Sequence, residues 1–101
     1  MKKNKVTYII CSAILFKDGK QHVHQPFNIE SGFVICGHRH HNCFMTASIL
    51  NEDKKIQGYE DIQGFLTNEN IFVDRKEAGR IAFEAGQTDV LISELYSEDL
   101  Y

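Results

Sequence analysis

Several things are missing from this chain of 101 residues, and each absence removes a class of protein. No stretch approaches the roughly 20 consecutive apolar residues that span a bilayer. There is no basic excess. The 14 acidic residues outnumber 11 basic ones for a net charge of -3, whereas binders of long nucleic acid carry a basic face. Lys2, Lys3 and Lys5 make a small basic start that reads as a solvated tail. Cysteine is scarce and odd in number (Cys11, Cys36 and Cys43), which points to reduced thiols and not to a disulfide framework. The apolar stretch from Val6 to Phe16 follows lysines as a signal peptide would. It contains Thr7, Tyr8 and Ser12 and is followed by no small-residue cleavage site, so it reads as a first strand. A soluble, cytoplasmic protein without membrane attachment is expected. Neither an internal repeat nor a low-complexity segment is present, and the length suits a single domain, 1–101.

What is present has ordinary globular proportions, 43% hydrophobic and 25% charged, enough for a modest core. Val6 to Phe16 is nearly continuous in apolar residues, which suits a strand covered on both faces. Asp18-Gly19 is a turn signal, and Gln21 to Gln25 alternates weakly before the chain's one proline, Pro26. Together they predict a hairpin near residues 6–25. Phe33 to Cys36 is a short buried-type strand between Gly32 and Gly37. A helix is expected over about 39–51, with Cys43, Ala47 and Leu50 on its apolar face and Met45 and Ile49 extending it. Asn51 to Glu60 reads as a surface loop around Asp53-Lys54-Lys55.

A second hairpin is expected near residues 63–73, turning at Asn68-Glu69-Asn70, where asparagine tolerates positive φ. The clearest helix lies at about 75–86. Asp74 caps it, Glu77 completes a capping box, Ala78, Ile81, Ala82 and Ala85 form a small apolar face, and Gly86 stands at the C′ position. Asp89 to Ser93 suggests one more short strand, and the end from Glu94 to Tyr101 carries enough apolar residues to dock. The fold class is α+β, a small and mostly antiparallel sheet with two helices.

Functional sites tend to fall where a sequence breaks a local rule. The first helix opens on His38, Arg39, His40 and His41. A helix N-terminus already carries partial positive charge and unpaired N–H groups, so basic side chains there cost about 0.3–1 kcal/mol each when charged. An anion would resolve the conflict; the bland alternative is a carboxylate partner for Arg39. Arg75 and Lys76 repeat the anomaly at the second helix, softened there by Asp74 and Glu77. Thr67, Asn68 and Asn70 could reach a phosphate or base edge, although turn formation explains them too. Any of Tyr8, Tyr59, Tyr96 and Tyr101 could stack on a base, while Phe33, Phe44, Phe65, Phe72 and Phe83 read as core.

The same stretch admits a metal reading, Cys36, His38, His40 and Cys43, which His22 and His24 could complete from the expected hairpin. Its spacing departs from the paired spacings of structural zinc sites. A cysteine beside a histidine also permits nucleophilic chemistry, without geometry to support it. No cofactor is called for.

Five motifs carry a resemblance. They are Gly37 to Cys43 with an added basic residue at His38, Gln63 to Thr67, Phe72 to Ala78, Ala85 to Gln87, and Leu95 to Leu100. In this order they resemble a widespread family of small proteins encoded by bacteriophages and prophages. The resemblance implies a sponge of the anti-CBASS type, which holds a cyclic nucleotide signal of anti-phage immunity without cleaving it in the cytoplasm of the infected host. The ligand contacts would be Arg39, His40, His41, Arg75, Thr67 and His38, the partner a cyclic di- or oligonucleotide, and the state a homo-oligomer. Two rivals remain at this stage: a metal- or histidine-dependent phosphodiesterase, and a protein that inhibits a host defence enzyme by binding it.

Overall fold

The computed structural model describes residues 6–52 and 60–100. The basic start, the Asp53-Lys54-Lys55 loop, Tyr59 and Tyr101 lie outside the described residues. The expected α+β class is what is observed. In chain order the elements are β1 (Ile9–Lys17), β2 (Phe33–Gly37), α1 (His40–Glu52), β3 (Glu60–Thr67), β4 (Phe72–Asp74), α2 (Arg75–Glu84) and the short α3 (Ser97–Leu100). The sheet runs β2-β1-β3-β4 with every pairing antiparallel.

The alternation of β-strand side chains sorts the core into two layers. Ile14 and Phe16 of β1 and Ile35 of β2 meet Cys43 and Ala47 of α1. Ile9, Phe65 and Val73 meet Ala78, Ile81 and Ala82 of α2, together with Leu95. Both helices therefore lie on one sheet face. The intervening positions, Ala13 and Leu15 of β1, Val34, Ile62, Leu66 and Phe72, form a third cluster on the other face, where Ile29 packs against them. Ser12 to Phe16 are all buried, as a central strand covered on both faces requires.

The first expected hairpin is corrected. The Asp18-Gly19 turn forms, with Gly19 at φ 74° and the Asp18 carboxylate accepting from the Lys20 N–H, but residues 21–25 are not a strand. The partner of β1 is β2, in the register Ala13↔Cys36 and Ile14↔Ile35. Residues 18–32 instead cross the second sheet face as a loop. The other hairpin is as expected, with Asn70 at φ 62°. The strand expected at Asp89 to Ser93 is irregular backbone. Met45 and Ile49 are exposed and do not extend the buried face of α1; Phe44 and Phe83, expected in the core, are about two-fifths exposed at 41%.

Helix α2 begins and ends as its residues dictate. The Asp74 carboxylate accepts from the Glu77 N–H at 2.9 Å. Glu77 itself pairs with Arg80. At the far end Gly86 (φ 78°) donates to the Phe83 carbonyl and Gln87 to that of Ala82, the two bonds of a Schellman motif.

Candidate functional site

The two helix starts and the C-terminal segment meet at a cleft of about 320 Å³. Arg39, His40 and His41 line it from α1, Arg75 from α2, and Tyr96, Ser97 and Glu98 from the start of α3. Four of the six residues expected to hold a ligand are thus brought together.

Helix α1 opens at Arg39, whose carbonyl accepts from the N–H groups of Asn42 and Cys43. Asn42 returns its side-chain oxygen to the Arg39 N–H at 3.0 Å, the backward half of a capping box. No acidic residue stands in this first turn. The dipole is therefore uncomplemented by the helix's own side chains, as the sequence indicated.

His40 is buried and its polar atoms are satisfied within the fold. Its ring stands edge-on to Phe65 at 4.9 Å. Nε2 lies 2.7 Å from the Gly64 carbonyl, which can only accept, so Nε2 carries a proton. Nδ1 lies 2.6 Å from Ser97 Oγ, and in the neutral ring it accepts the Ser97 hydroxyl proton. The backbone N–H of His40 donates to that same Ser97 Oγ at 3.1 Å. Ser12 Oγ is 2.9 Å from Ser97 Oγ and 3.2 Å from the His38 carbonyl. Burial lowers the pKa of His40 below its ordinary 6.5, assisted by the Arg75 charge and opposed by the Gly64 carbonyl and Glu98. Burial thus disfavours the charged form of the ring in the cleft.

Arg75 holds the C-terminal segment to α2. Nη1 donates to the Leu95 carbonyl at 2.7 Å, Nη2 donates to Gln63 Oε1, and the guanidinium lies 4.2 Å from the centre of the Tyr96 ring. The Leu95 N–H returns a bond to the Arg75 carbonyl. A guanidinium has five N–H donors, and these side-chain bonds use two. Arg75 also borders an adjoining cavity of about 500 Å³ with Gln63, Asp74 and Lys76.

Two expected ligand residues lie apart. Thr67 is 1% exposed, and its hydroxyl accepts from the N–H groups of Glu69 and Ile71, so it builds the β3–β4 turn. It borders a different cavity of about 520 Å³, beside Glu69, Glu77 and Arg80. His38 is exposed and does not line the cleft. The metal set of Cys36, His38, His40 and Cys43 is not assembled: among the described residues no group of three or more histidine, cysteine or acidic side chains is disposed to hold an ion. His40 has both ring nitrogens engaged, and the Cys43 thiol donates to the Ser12 carbonyl at 3.6 Å.

Ser12, Gln63 and Ser97 are the structural partners that sequence reading did not assign to the site. Gln63 and Ser97 stand within motifs that carry the resemblance, while Ser12 has no local signal. Among the described residues no helix is long and apolar enough to cross a membrane.

These observations define a small α+β protein with a basic-edged cleft at two helix starts. The sequence model of the phage T4 y16D protein family matches residues 8–101, and the chain belongs to that family. The expected kinship with small phage-encoded proteins is thereby shown. No curated protein matches the chain, and no solved structure does.

Proposed function

We propose that this phage protein binds a cyclic di- or oligonucleotide through its phosphates in the host cytoplasm and holds it without cleaving it. The support is one observation: Arg39, His41 and Arg75, from two helix starts, border a single cleft. Guanidinium-to-phosphate bonds are charge-assisted and add to the helix dipole. Tyr96 offers an aromatic face beside them, although Arg75 already covers part of it. Glu98, in the same lining, opposes an anion. A cleft of about 320 Å³ is at the small end for ligand pockets, which run from ~300 to ~1,000 Å³. It suits one phosphate with its neighbouring base, and a second copy of the chain would enclose the remainder of a ring.

A hydrolase has one observation in its favour, the 2.6 Å contact between Ser97 Oγ and His40 Nδ1, a nucleophile–base distance. Ser97 is 3% exposed, and its hydroxyl is shared among the His40 ring, the His40 N–H and Ser12. A hydroxyl committed to three partners within the fold is poorly placed to attack a phosphorus atom, so binding is the better reading.

The test is a thermal-shift screen against cyclic di- and oligonucleotides, followed by chromatography of ligand released on denaturation. The expected result is a raised melting temperature and intact ligand. Arg39→Ala should weaken binding at least tenfold, since a charged hydrogen bond contributes roughly 1.5–3 kcal/mol. A screen in which nothing shifts the melting temperature sinks the proposal; time-dependent loss of ligand would transfer it to the hydrolase.

A further inference from the structure

Cys11 and Cys36 stand on adjacent strands and on the sheet face that the helices leave open. The register Ala13↔Cys36 puts Cys36 on the same face as Ala13, Leu15 and Cys11, diagonal to Cys11 across the β1–β2 pair. Cys36 is exposed and Cys11 half-buried. Cys43 is buried beneath α1 on the opposite face.

We propose that Cys11 and Cys36 form a thiol–disulfide exchange site, with Cys36 as the attacking thiol, Cys11 as the resolving one, and a low-molecular-weight disulfide as the oxidant. The accessible thiol makes the first attack. Cys36 sulfur bonds to one sulfur of the small disulfide, whose S–S bond breaks and releases one thiolate. Cys11 then loses its proton and attacks Cys36 Sγ, and the mixed disulfide breaks to release the second thiolate. The protein loses two hydrogens and two electrons, and the small disulfide becomes two thiols.

Electrostatics favours these roles. The hydrogen bond that the Cys11 thiol donates to Cys36 pulls Cys36 down to about 7, against the opposing effect of burial. The same bond, then burial and the Cys36 and Cys43 charges, push Cys11 well above its ordinary 9.0. A thiol whose pKa lies near the ambient pH is the best attacking group. Burial and the Cys36 charge raise Cys43 to about 11.

Closure of the bond needs modest backbone movement. Diagonal neighbours lie about 7–8 Å apart at Cα, and a disulfide accepts up to about 6.8 Å. Cys11 is one residue past the last β1–β2 pair, Ser12↔Gly37, and the β1–β3 register shifts between Ile9 and Cys11. Cys11 thus stands at the end of the β1–β2 ladder and beside a register shift, held on its other side by its pairing with Leu66.

The test treats the reduced native protein with glutathione disulfide, quenches with acid, and reads intact mass and peptide maps. Wild type is expected to lose two hydrogens through a Cys11–Cys36 link. Cys11→Ser is expected to stop with one glutathione on Cys36, and Cys36→Ser to remain unmodified at Cys11. A wild-type protein that accumulates the glutathione adduct, that links Cys43 instead, or that does not react while folded overturns the proposal. The wild-type map decides even if a variant fails to fold.

Discussion

At the scale of single residues, His40 sets how the cleft responds to pH. Burial holds its folded pKa below 6.5, so the unfolded chain takes up a proton that the folded chain resists. Stability from this residue is fully present above pH 6.5 and is lost as pH falls toward the depressed folded value. Asp18, also depressed below its ordinary value by the Lys20 N–H and His22, acts only near and below pH 3.8, a separate window. The urea midpoint is therefore expected to fall between about pH 7 and pH 5, and His40→Gln, which cannot titrate, should flatten that slope. An unchanged slope in the variant would remove His40 as its source. The legibility of the site is uneven at this scale. Arg39, His40, His41 and Arg75 were visible because basic groups at a helix start oppose the dipole, a local conflict that needs no partner to be seen. Ser97 lies 57 residues from His40 and 85 from Ser12, and nothing local encodes such contacts. The sequence position of His40 does not show its burial, which disfavours the charged ring. Thr67 admits both readings, because hydroxyls suit phosphates and turns alike, and in the structure it builds the turn.

Helix α2 shows what element-level signals carry and where they stop. Its cap, apolar face and terminal glycine are short-range features, and each forms as the residues direct. Gly79, in its middle, has a long-range reason. A Cβ there would fall well inside the van der Waals radius of the Ile92 carbonyl oxygen. Gly→Ala within an exposed helix ordinarily stabilises by about 1 kcal/mol. Here overpacking costs typically ~1–3 kcal/mol, and backbone forms the obstacle. Gly79→Ala is expected to lower stability in chemical denaturation; a stabilised variant would show that the segment around Ile92 yields readily. The same contact holds Ile92 against α2, and residues 89–93 pair with no strand of the sheet. The expected hairpin near residues 6–25 failed for a related reason. Asp18-Gly19 specifies a turn but not the strand that follows, and Phe33 to Cys36 supplies a continuous apolar run where Gln21 to Gln25 offers one apolar residue, Val23.

Across the whole molecule, the segment from Leu95 to Leu100 ties α1 to α2. Leu95 is fully buried in the α2 cluster, its carbonyl accepts from Arg75, and Ser97 satisfies His40. Ending the chain after Glu94 removes all three contacts. Burial of one leucine contributes ~2 kcal/mol. Buried polar groups left without partners cost ~1–3 kcal/mol each. Their sum is comparable with the ~5–15 kcal/mol that holds a small domain folded. The truncated chain is expected to lose its cooperative thermal transition, measured by calorimetry or circular dichroism; a transition within a few degrees of the full chain would show that the segment is dispensable.

The loop over residues 18–32 has a consequence for self-association. Asn28 engages both backbone groups of Phe72 on the edge strand β4, donating to its carbonyl at 2.7 Å and accepting from its N–H at 2.9 Å. On the opposite edge the Val34 N–H donates to Gln25 Oε1. Amide side chains from one loop thus occupy backbone groups at both margins of the sheet, where an incoming strand from another molecule would have to bond. Growth by strand addition is obstructed at Phe72 and Val34, so copies of this chain that assemble must meet through faces or helices.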